Sequence, residues 1–165
     1  MFMADLSSEA QLRPLEVWQA GEFAAHMDRA REHIKAWVGP AFVTTTVDGA
    51  QATLQRYATD AAADGPRLYG IWLAGHLSGG VMFTHFNASS GVCELGCWLE
   101  PHAEGRGLIT RACHLLLAWA FDGRGMHRAE WRCRGANTRT QPPAQRLRRI
   151  RAEGCGEAGP VGGGR

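Results

Sequence analysis

The sequence predicts an α+β (mixed α/β) domain in which helices flank a central, mostly antiparallel sheet. Two segments before residue 64 have apolar residues at helical spacing, and three later segments are typical of strands. A glycine-rich turn then leads into an almost wholly apolar helix, which a short final strand follows. A meander of strands closed by a crossover helix gives a mixed sheet, so the predicted order is β-α-α-β-β-β-α-β.

The N-terminal elements are a strand and two helices. Residues 11–18 are typical of a strand that enters a helix, and residues 19–38 and 48–63 have helical periodicity. Glycine and proline follow each helical segment and are expected to end it. The inward faces of the two helices are expected to carry Phe23, Met27, Ala30, Ile34 and Val38 in the first and Leu54 and Tyr57 in the second.

The remaining elements are predicted to be a hairpin, a third strand, a helix and a last strand. Residues 67–74 and 77–87 form the hairpin, because Gly75-His76 between them is a turn signal. Residues 92–99 follow as a strand, and residues 108–121 form a buried helix. Apolar and polar side chains alternate along residues 127–134, which predicts a last strand with one buried face.

The turn Glu104-Gly105-Arg106-Gly107-Leu108-Ile109-Thr110 is the strongest functional signal. Its glycines let the backbone approach a phosphate, and free N–H groups at the helix start favour negative charge. The dinucleotide pattern G-x-G-x-x-G fails at its third position, which is Thr110, and the triphosphate pattern G-x-x-x-x-G-K-[ST] is absent. We therefore expect a phosphorylated ligand here, with a plain glycine-rich loop as the alternative.

The strand before this turn has the sequence Cys93-Glu94-Leu95-Gly96-Cys97-Trp98-Leu99-Glu100-Pro101. With the turn, it resembles motif A of the GNAT N-acetyltransferase superfamily, and most closely the RimL/RimJ branch, which acetylates protein N-terminal amines. Further segments fall on the pattern of that branch in order, namely Leu12-Arg13-Pro14-Leu15, Arg31-Glu32-His33 to Trp37, Ala118-Trp119-Ala120-Phe121, His127-Arg128, and Asn137 with Thr140. Glu104 departs from the pattern, which has Gln or Arg at that position.

The resemblance implies a GNAT-like fold and acetyl-CoA as co-substrate, with no metal. It places the coenzyme against the turn and the end of the preceding strand, and it implies Thr140 as the acid that protonates the leaving thiolate. Arg106 adds charge to the turn or is simply a solvated arginine. The implied coenzyme-binding residues are Trp98, Leu99, Glu104, Gly105, Arg106, Gly107, Leu108, Ile109 and Asn137.

Glu94 is the candidate general base. Alternation along the strand places Glu94, Gly96, Trp98 and Glu100 on one face. A carboxylate inside an otherwise apolar strand is costly to bury without a purpose, and it suits the removal of a proton from an amine, directly or through water. An exposed strand carboxylate is the alternative. His85 is a second candidate base, and Glu100 is expected at the rim of the site.

The predicted function is acetyl transfer from acetyl-CoA to a primary amine, most naturally the N-terminal amine of a protein. Acetylation of a small amine is the alternative within the enzyme class, and a catalytically impaired coenzyme A-binding relic is the alternative outside it. The relic is considered because Pro142-Pro143 and a glycine-rich end stand where the resemblance implies two more strands. We expect one domain over residues 1–153, missing final strands, and a flexible tail over residues 154–165. The uncovered sheet edge would favour a homodimer.

The composition bears on membrane insertion, zinc binding, cellular compartment and nucleic-acid binding. No apolar run reaches about 18 residues, so no membrane helix is expected. The cysteines lie mostly in apolar runs and form no C-x-x-C pair, which predicts buried thiols, no structural zinc and a cytoplasmic location. Nucleic acid is not the predicted partner, because no aromatic residue interleaves the arginines after Trp131.

Overall fold

A computed structural model describes residues 3–35 and 38–131 of the 165-residue chain. The predictions for Trp37, Cys133, Asn137, Thr140 and Cys155 lie outside these ranges. So do the end of the domain at residue 153, the missing final strands and the tail over residues 154–165.

One mixed sheet forms the centre of the described part of the chain, and its strands lie side by side in sequence order. The strands are β1 (Ala4–Asp5), β2 (Ala10–Pro14), β3 (Arg67–Leu73), β4 (His76–Asn87), β5 (Val92–Leu99) and β6 (Arg128–Trp131). The helices are α1 (Ala20–Ile34), α2 (Val47–Ala62) and α3 (Leu108–Ala118). Neighbouring strands are antiparallel from β1 to β5, whereas β5 and β6 are parallel and are joined by the α3 crossover. This architecture confirms the predicted fold class.

The two faces of the sheet carry separate apolar clusters. Helices α1 and α2 cover one face, where their inward residues pack around Trp98 of β5. Helix α3 covers the other face, where it packs on Cys93, Leu95 and Cys97 of the same strand. The alternation predicted for β5 is therefore confirmed, and it places Glu94 on the same face as Trp98.

The last helix is shorter than its apolar pattern predicts. The α-helical hydrogen bonding of α3 ends at Ala118, and a π-helical turn follows over Trp119–Gly123. In this turn Trp119 stacks on Phe86, with ring centroids 5.5 Å apart, and also contacts the ring of Phe83. The apolar periodicity of the sequence does not indicate the switch to π-helical hydrogen bonding, because that switch accompanies the tertiary packing of Trp119.

Two arginines hold Asp64 at the end of α2. Its carboxylate lies 2.6 Å from Arg67 Nη2 and 2.5 Å from Arg124 Nη2, and hydrogen bonds from Arg124 and Arg67 lower its pKa from 3.8 to about 2. Both guanidinium groups also lie over the ring of Phe86. The cluster therefore ties the C-terminal end of α2 to β3 and to the π turn.

Asp64 should give the protein an acid-sensitive contribution to stability. Its pKa is depressed on folding, so the contribution is present above about pH 3.8 and is lost as the pH falls toward about 2. The Asp64 side chain is about half exposed, so solvent screening should keep its contribution to the free energy of unfolding below about 1 kcal/mol. Urea unfolding of Asp64→Asn should show a lower stability than the parent at neutral pH and a smaller loss in acid. Asparagine tolerates the positive φ of 61° at this position. Equal acid losses in the two proteins would contradict this role.

Candidate active site

The glycine-rich turn forms an open helix N-terminus. Gly105 and Gly107 adopt left-handed φ values of 75° and 71°, and Gly107 is the N-cap residue of α3. A Cβ at Gly105 would meet open space, and one at Gly107 would come no closer than 3.9 Å to Arg111. The glycines therefore provide the backbone conformation and leave the space in front of the helix clear.

The first turn of α3 has amide groups available for an anion. The first helical bond runs from the Arg111 amide to the Gly107 carbonyl, so the amides of residues 108–110 precede the helical ladder. Within the described chain no side chain caps this end, and the first turn contains no acidic residue. The side chain of Leu108 is buried and that of Ile109 is half-buried, so any contribution of theirs to a ligand comes from the backbone. Arg106 is exposed beside them.

Glu104 is already engaged within the protein. Its amide donates to the Pro101 carbonyl at 3.2 Å, and its carboxylate Oε1 lies 2.7 Å from His33 Nε2 on α1. The coenzyme contact predicted for Glu104 stays a prediction, as do those of the other site residues. The contact of Glu104 with His33 on α1 was not indicated by the local sequence pattern.

The described pairing of the strand before the turn differs between its two edges. Strand β6 pairs with β5 only at Val92–Leu95 in the described residues, while β4 pairs with the other edge as far as Leu99. Residues 128–131 of β6 thus end opposite Leu95, four residues before the end of β5. An extended ligand can pair with the backbone of a strand as an added strand does. The side chain of Trp98 is buried, so only its backbone can serve this purpose.

Glu94 lies half-buried on the face of β5 that α1 and α2 share. The hydroxyl of Thr84, at an irregularity in β4, donates to Glu94 Oε1 at 2.6 Å and orients the carboxylate. Glu130 of β6 pairs in register with Glu94, so a second carboxylate lies on the same face, where Arg128 is bonded to it at 2.8 Å. His85, the other candidate base, is exposed. The sequence analysis missed Glu130 because only the parallel register of β6 brings it beside Glu94.

The separation of Glu94 from the turn limits the kind of ligand. Glu94 precedes Leu99 by five positions on β5, and at about 3.3 Å per residue the strand alone spans roughly 17 Å. A phosphate held at the turn therefore requires a long extended arm to bring a reacting group to Glu94. Coenzyme A has such an arm, and a simple nucleotide does not.

A buried polar chain lies beneath the end of β5. Trp98 Nε1 donates to His26 Nε2 at 2.8 Å, and His26 Nδ1 lies 2.5 Å from Glu100 Oε1. This arrangement requires the neutral ring with its proton on Nδ1. Burial lowers the pKa of His26, although Glu100 opposes the shift. Glu100 is 7% exposed, so its predicted place at the rim is wrong, because α1 crosses over the end of the strand and covers it.

Replacing His26 should destabilise the fold strongly. His26→Phe fills the space but leaves the Trp98 indole N–H without its acceptor and Glu100 without its buried donor. Glu100 keeps its contacts with Arg29 and His102, so the loss is that of two buried hydrogen bonds, at roughly 1–3 kcal/mol each. Urea unfolding should show this loss, whereas His114→Phe, at an exposed position on α3, should change stability by less than about 0.5 kcal/mol. Similar urea midpoints for the parent and His26→Phe would show that the hydrogen bonds of His26 contribute little to stability.

Metal clusters and membrane-spanning helices are absent from the described residues. Across residues 3–35 and 38–131 there is no group of three His, Cys, Asp or Glu side chains that could hold a metal ion. Cys93, Cys97 and Cys113 are buried, as predicted, and burial raises the pKa of the Cys113 thiol. No helix in this part of the chain has the length and apolarity needed to cross a membrane.

Comparison with known proteins gives a family and several close folds. A family model described as an acetyltransferase (GNAT) domain matches residues 10–148. YdaF of Bacillus subtilis strain 168, a protein provisionally named a ribosomal N-acetyltransferase, is 24% identical over 127 residues, which are 74% of this chain and 67% of the relative.

Solved structures share the fold at low sequence identity. The ribosomal L7/L12 α-N-protein acetyltransferase RimL, in complex with coenzyme A, has a TM-score of 0.79 at 16% identity, over 88% of this chain and 82% of RimL. The ribosomal-protein-S5-alanine acetyltransferase of Vibrio fischeri has a TM-score of 0.78 at 18% identity, over 89% and 82%. The microcin C7 self-immunity acetyltransferase MccE, with acetyl-CoA and AMP, has a TM-score of 0.75 at 20% identity, over 86% and 78%.

Proposed function

Because this chain belongs to the acetyltransferase (GNAT) domain family, we propose that it transfers an acetyl group from acetyl-CoA to the N-terminal amine of a protein. The observation that carries the proposal is the N-terminus of α3, which no described side chain caps and which two left-handed glycines keep clear, shortly after the end of β5. An anion site and a strand edge in that order fit the pyrophosphate and the extended arm of coenzyme A.

The coenzyme is held by backbone groups. The amides of Leu108, Ile109 and Thr110 donate to the pyrophosphate, and Arg106 adds positive charge beside it. The backbone of residues 96–99 pairs with the pantetheine arm and directs the thioester toward Glu94. Backbone contacts of this kind explain why the binding site depends on glycines and strand geometry more than on side chains.

Glu94 prepares the acceptor for reaction. Its carboxylate, oriented by Thr84, removes a proton from the acceptor ammonium, directly or through water. The neutral nitrogen then attacks the thioester carbonyl, and a backbone N–H near Trp98 stabilises the oxyanion. The carbon–sulfur bond breaks, and the nitrogen releases its second proton to solvent as the amide forms. We assign to Thr140 the protonation of the leaving thiolate and to Asn137 a contact with the arm, and both residues lie outside the described ranges.

A protein N-terminus is the proposed acceptor because the names of YdaF, RimL and the Vibrio fischeri enzyme refer to ribosomal proteins. Mass spectrometry tests this choice with three acceptors, namely a peptide with a free N-terminus, the same peptide with a blocked N-terminus and a free lysine, and a small primary amine. We expect acetylation of the first alone. Product only from the small amine would contradict the choice of acceptor, and coenzyme binding without any product would favour an impaired relic.

The location and the assembly of the protein are parts of the proposal. The burial of Cys93, Cys97 and Cys113 in the apolar core fits a reducing compartment, and we propose the cytoplasm. We also propose a homodimer through β6, the last strand of the described sheet, whose Trp131 is half-buried. Analytical ultracentrifugation should show a dimer, and a monomer at all accessible concentrations would contradict this assembly.

A further inference from the structure

The geometry points to α1 as the element that positions the coenzyme-binding turn, with His33 as its principal positioning residue. This inference rests on the proposed function and adds residues that touch neither coenzyme nor acceptor. His26, Arg29 and His33 follow one another at helical spacing on α1 and contact the two carboxylates that bracket the Pro101–Ala103 turn. Those carboxylates belong to Glu100, directly after β5, and Glu104, directly before Gly105.

His33 fixes the residue from which the glycine-rich turn begins. Its Nε2 lies 2.7 Å from Glu104 Oε1, and the two side chains are only 23% and 29% exposed. The Glu104 amide is also bound, to the Pro101 carbonyl at 3.2 Å. Side chain and backbone of Glu104 are therefore both held immediately before two glycines, which are the residues with the most conformational freedom to lose.

The other end of the same segment is anchored more deeply. Glu100 Oε1 contacts His26 at 2.5 Å and Arg29 at 3.4 Å, while its Oε2 lies 3.1 Å from His102 Nδ1. Ala103, between the two carboxylates, is fully buried. Residues 100–104 thus form a rigid base, tied to α1 at both ends, on which the turn stands.

A rigid base matters because the turn binds through backbone amides. Amides that are already arranged pay less conformational entropy when the ligand binds, so a positioning contact appears as ligand affinity. The contact should have little effect on the chemical step, since Glu94 lies on β5 and is oriented by Thr84. Loss of His33 should therefore raise the KM for acetyl-CoA and leave kcat unchanged at saturating coenzyme.

His33→Leu is the primary test, measured by calorimetric titration with acetyl-CoA. We expect the Kd to rise about tenfold, the equivalent of one hydrogen bond to a charged group. His33→Gln should restore most of the affinity, because its amide N–H can still donate to Glu104. Glu32→Gln is the matched control, since it removes an exposed ion pair with Lys35 from the same helix turn and touches neither carboxylate.

Hydrogen exchange of the ligand-free protein gives a readout that does not depend on the coenzyme. Amides in residues 104–109 should exchange faster in His33→Leu than in the parent or in Glu32→Gln. The double variant His33→Leu/Glu104→Leu should bind acetyl-CoA no more weakly than His33→Leu, because both changes remove one contact. Additive losses would show that Glu104 acts on the coenzyme independently of His33 and would overturn the inference.

The failure of this inference is distinguishable from the failure of the proposed function. Unchanged affinity and unchanged exchange in His33→Leu, with a parent that binds acetyl-CoA, would overturn the positioning role alone. A parent that does not bind acetyl-CoA would overturn both. A lower kcat with an unchanged KM in His33→Leu would also contradict the inference, because positioning of the turn acts on binding.

Discussion

Gly107→Glu should abolish the binding of acetyl-CoA in a protein that remains folded. The new side chain would project into the open space before α3 and place a negative charge where the amides of the first turn attract one. The positive φ of 71° adds strain of roughly 1–2 kcal/mol, which a folded domain tolerates. Calorimetric titration should therefore show no binding at coenzyme concentrations that saturate the parent.

Two further variants separate strain from charge. Gly125→Glu is the matched control, because Gly125 also has a positive φ, of 67°, with no atom within 4 Å of its Cβ, and it lies beyond the opposite end of α3. It should keep the parent's affinity. Gly107→Asn, which suits a left-handed backbone and carries no charge, should lose much less affinity than Gly107→Glu. Undiminished affinity in Gly107→Glu would remove the turn from the coenzyme site.

Glu94→Gln should lower kcat by about 10²–10⁴ while acetyl-CoA affinity is retained. The amide oxygen of glutamine can still accept the Thr84 hydroxyl, so the variant loses basicity with little change in shape. Steady-state kinetics at saturating acetyl-CoA and acceptor would show the loss. The binding of acetyl-CoA, measured separately, confirms that the site is intact.

Glu130 provides the competing assignment for the base. It lies in register with Glu94 on the same face of the sheet, but Arg128 is bonded to its carboxylate. Glu130→Gln should therefore have a much smaller effect on kcat than Glu94→Gln. The reverse order of effects would transfer the role of base to Glu130, and parental rates in both variants would place the base elsewhere.

The sheet was predictable because its signals are local. The period of two along β5 assigned Trp98 and Cys97 to opposite faces, and the structure confirms both. The hairpin of β3 and β4 was marked by its glycine turn. By contrast, β1 has two residues, Ala4 and Asp5, and exists only through its pairing with β2. No period can be recognised over so short a segment.

The site was predictable only where backbone conformation determines it. The glycines of the turn carry their own signal, because a left-handed backbone before a helix favours glycine. The contacts of Glu100 and Glu104 depend on where α1 crosses the sheet, which no local pattern states. His26 did leave a trace, since it falls beside Met27 within the inward stripe of α1, and a histidine in an apolar stripe needs a buried partner.

A crystal structure of the protein grown with coenzyme A is the most direct test that the glycine-rich turn and the end of β5 form the coenzyme site. We expect pyrophosphate oxygens within hydrogen-bond distance of the amides of Leu108 and Ile109, and the pantetheine arm along residues 96–99 with its thiol directed toward Glu94. Coenzyme bound elsewhere, with the amides of the turn free of phosphate, would contradict that assignment.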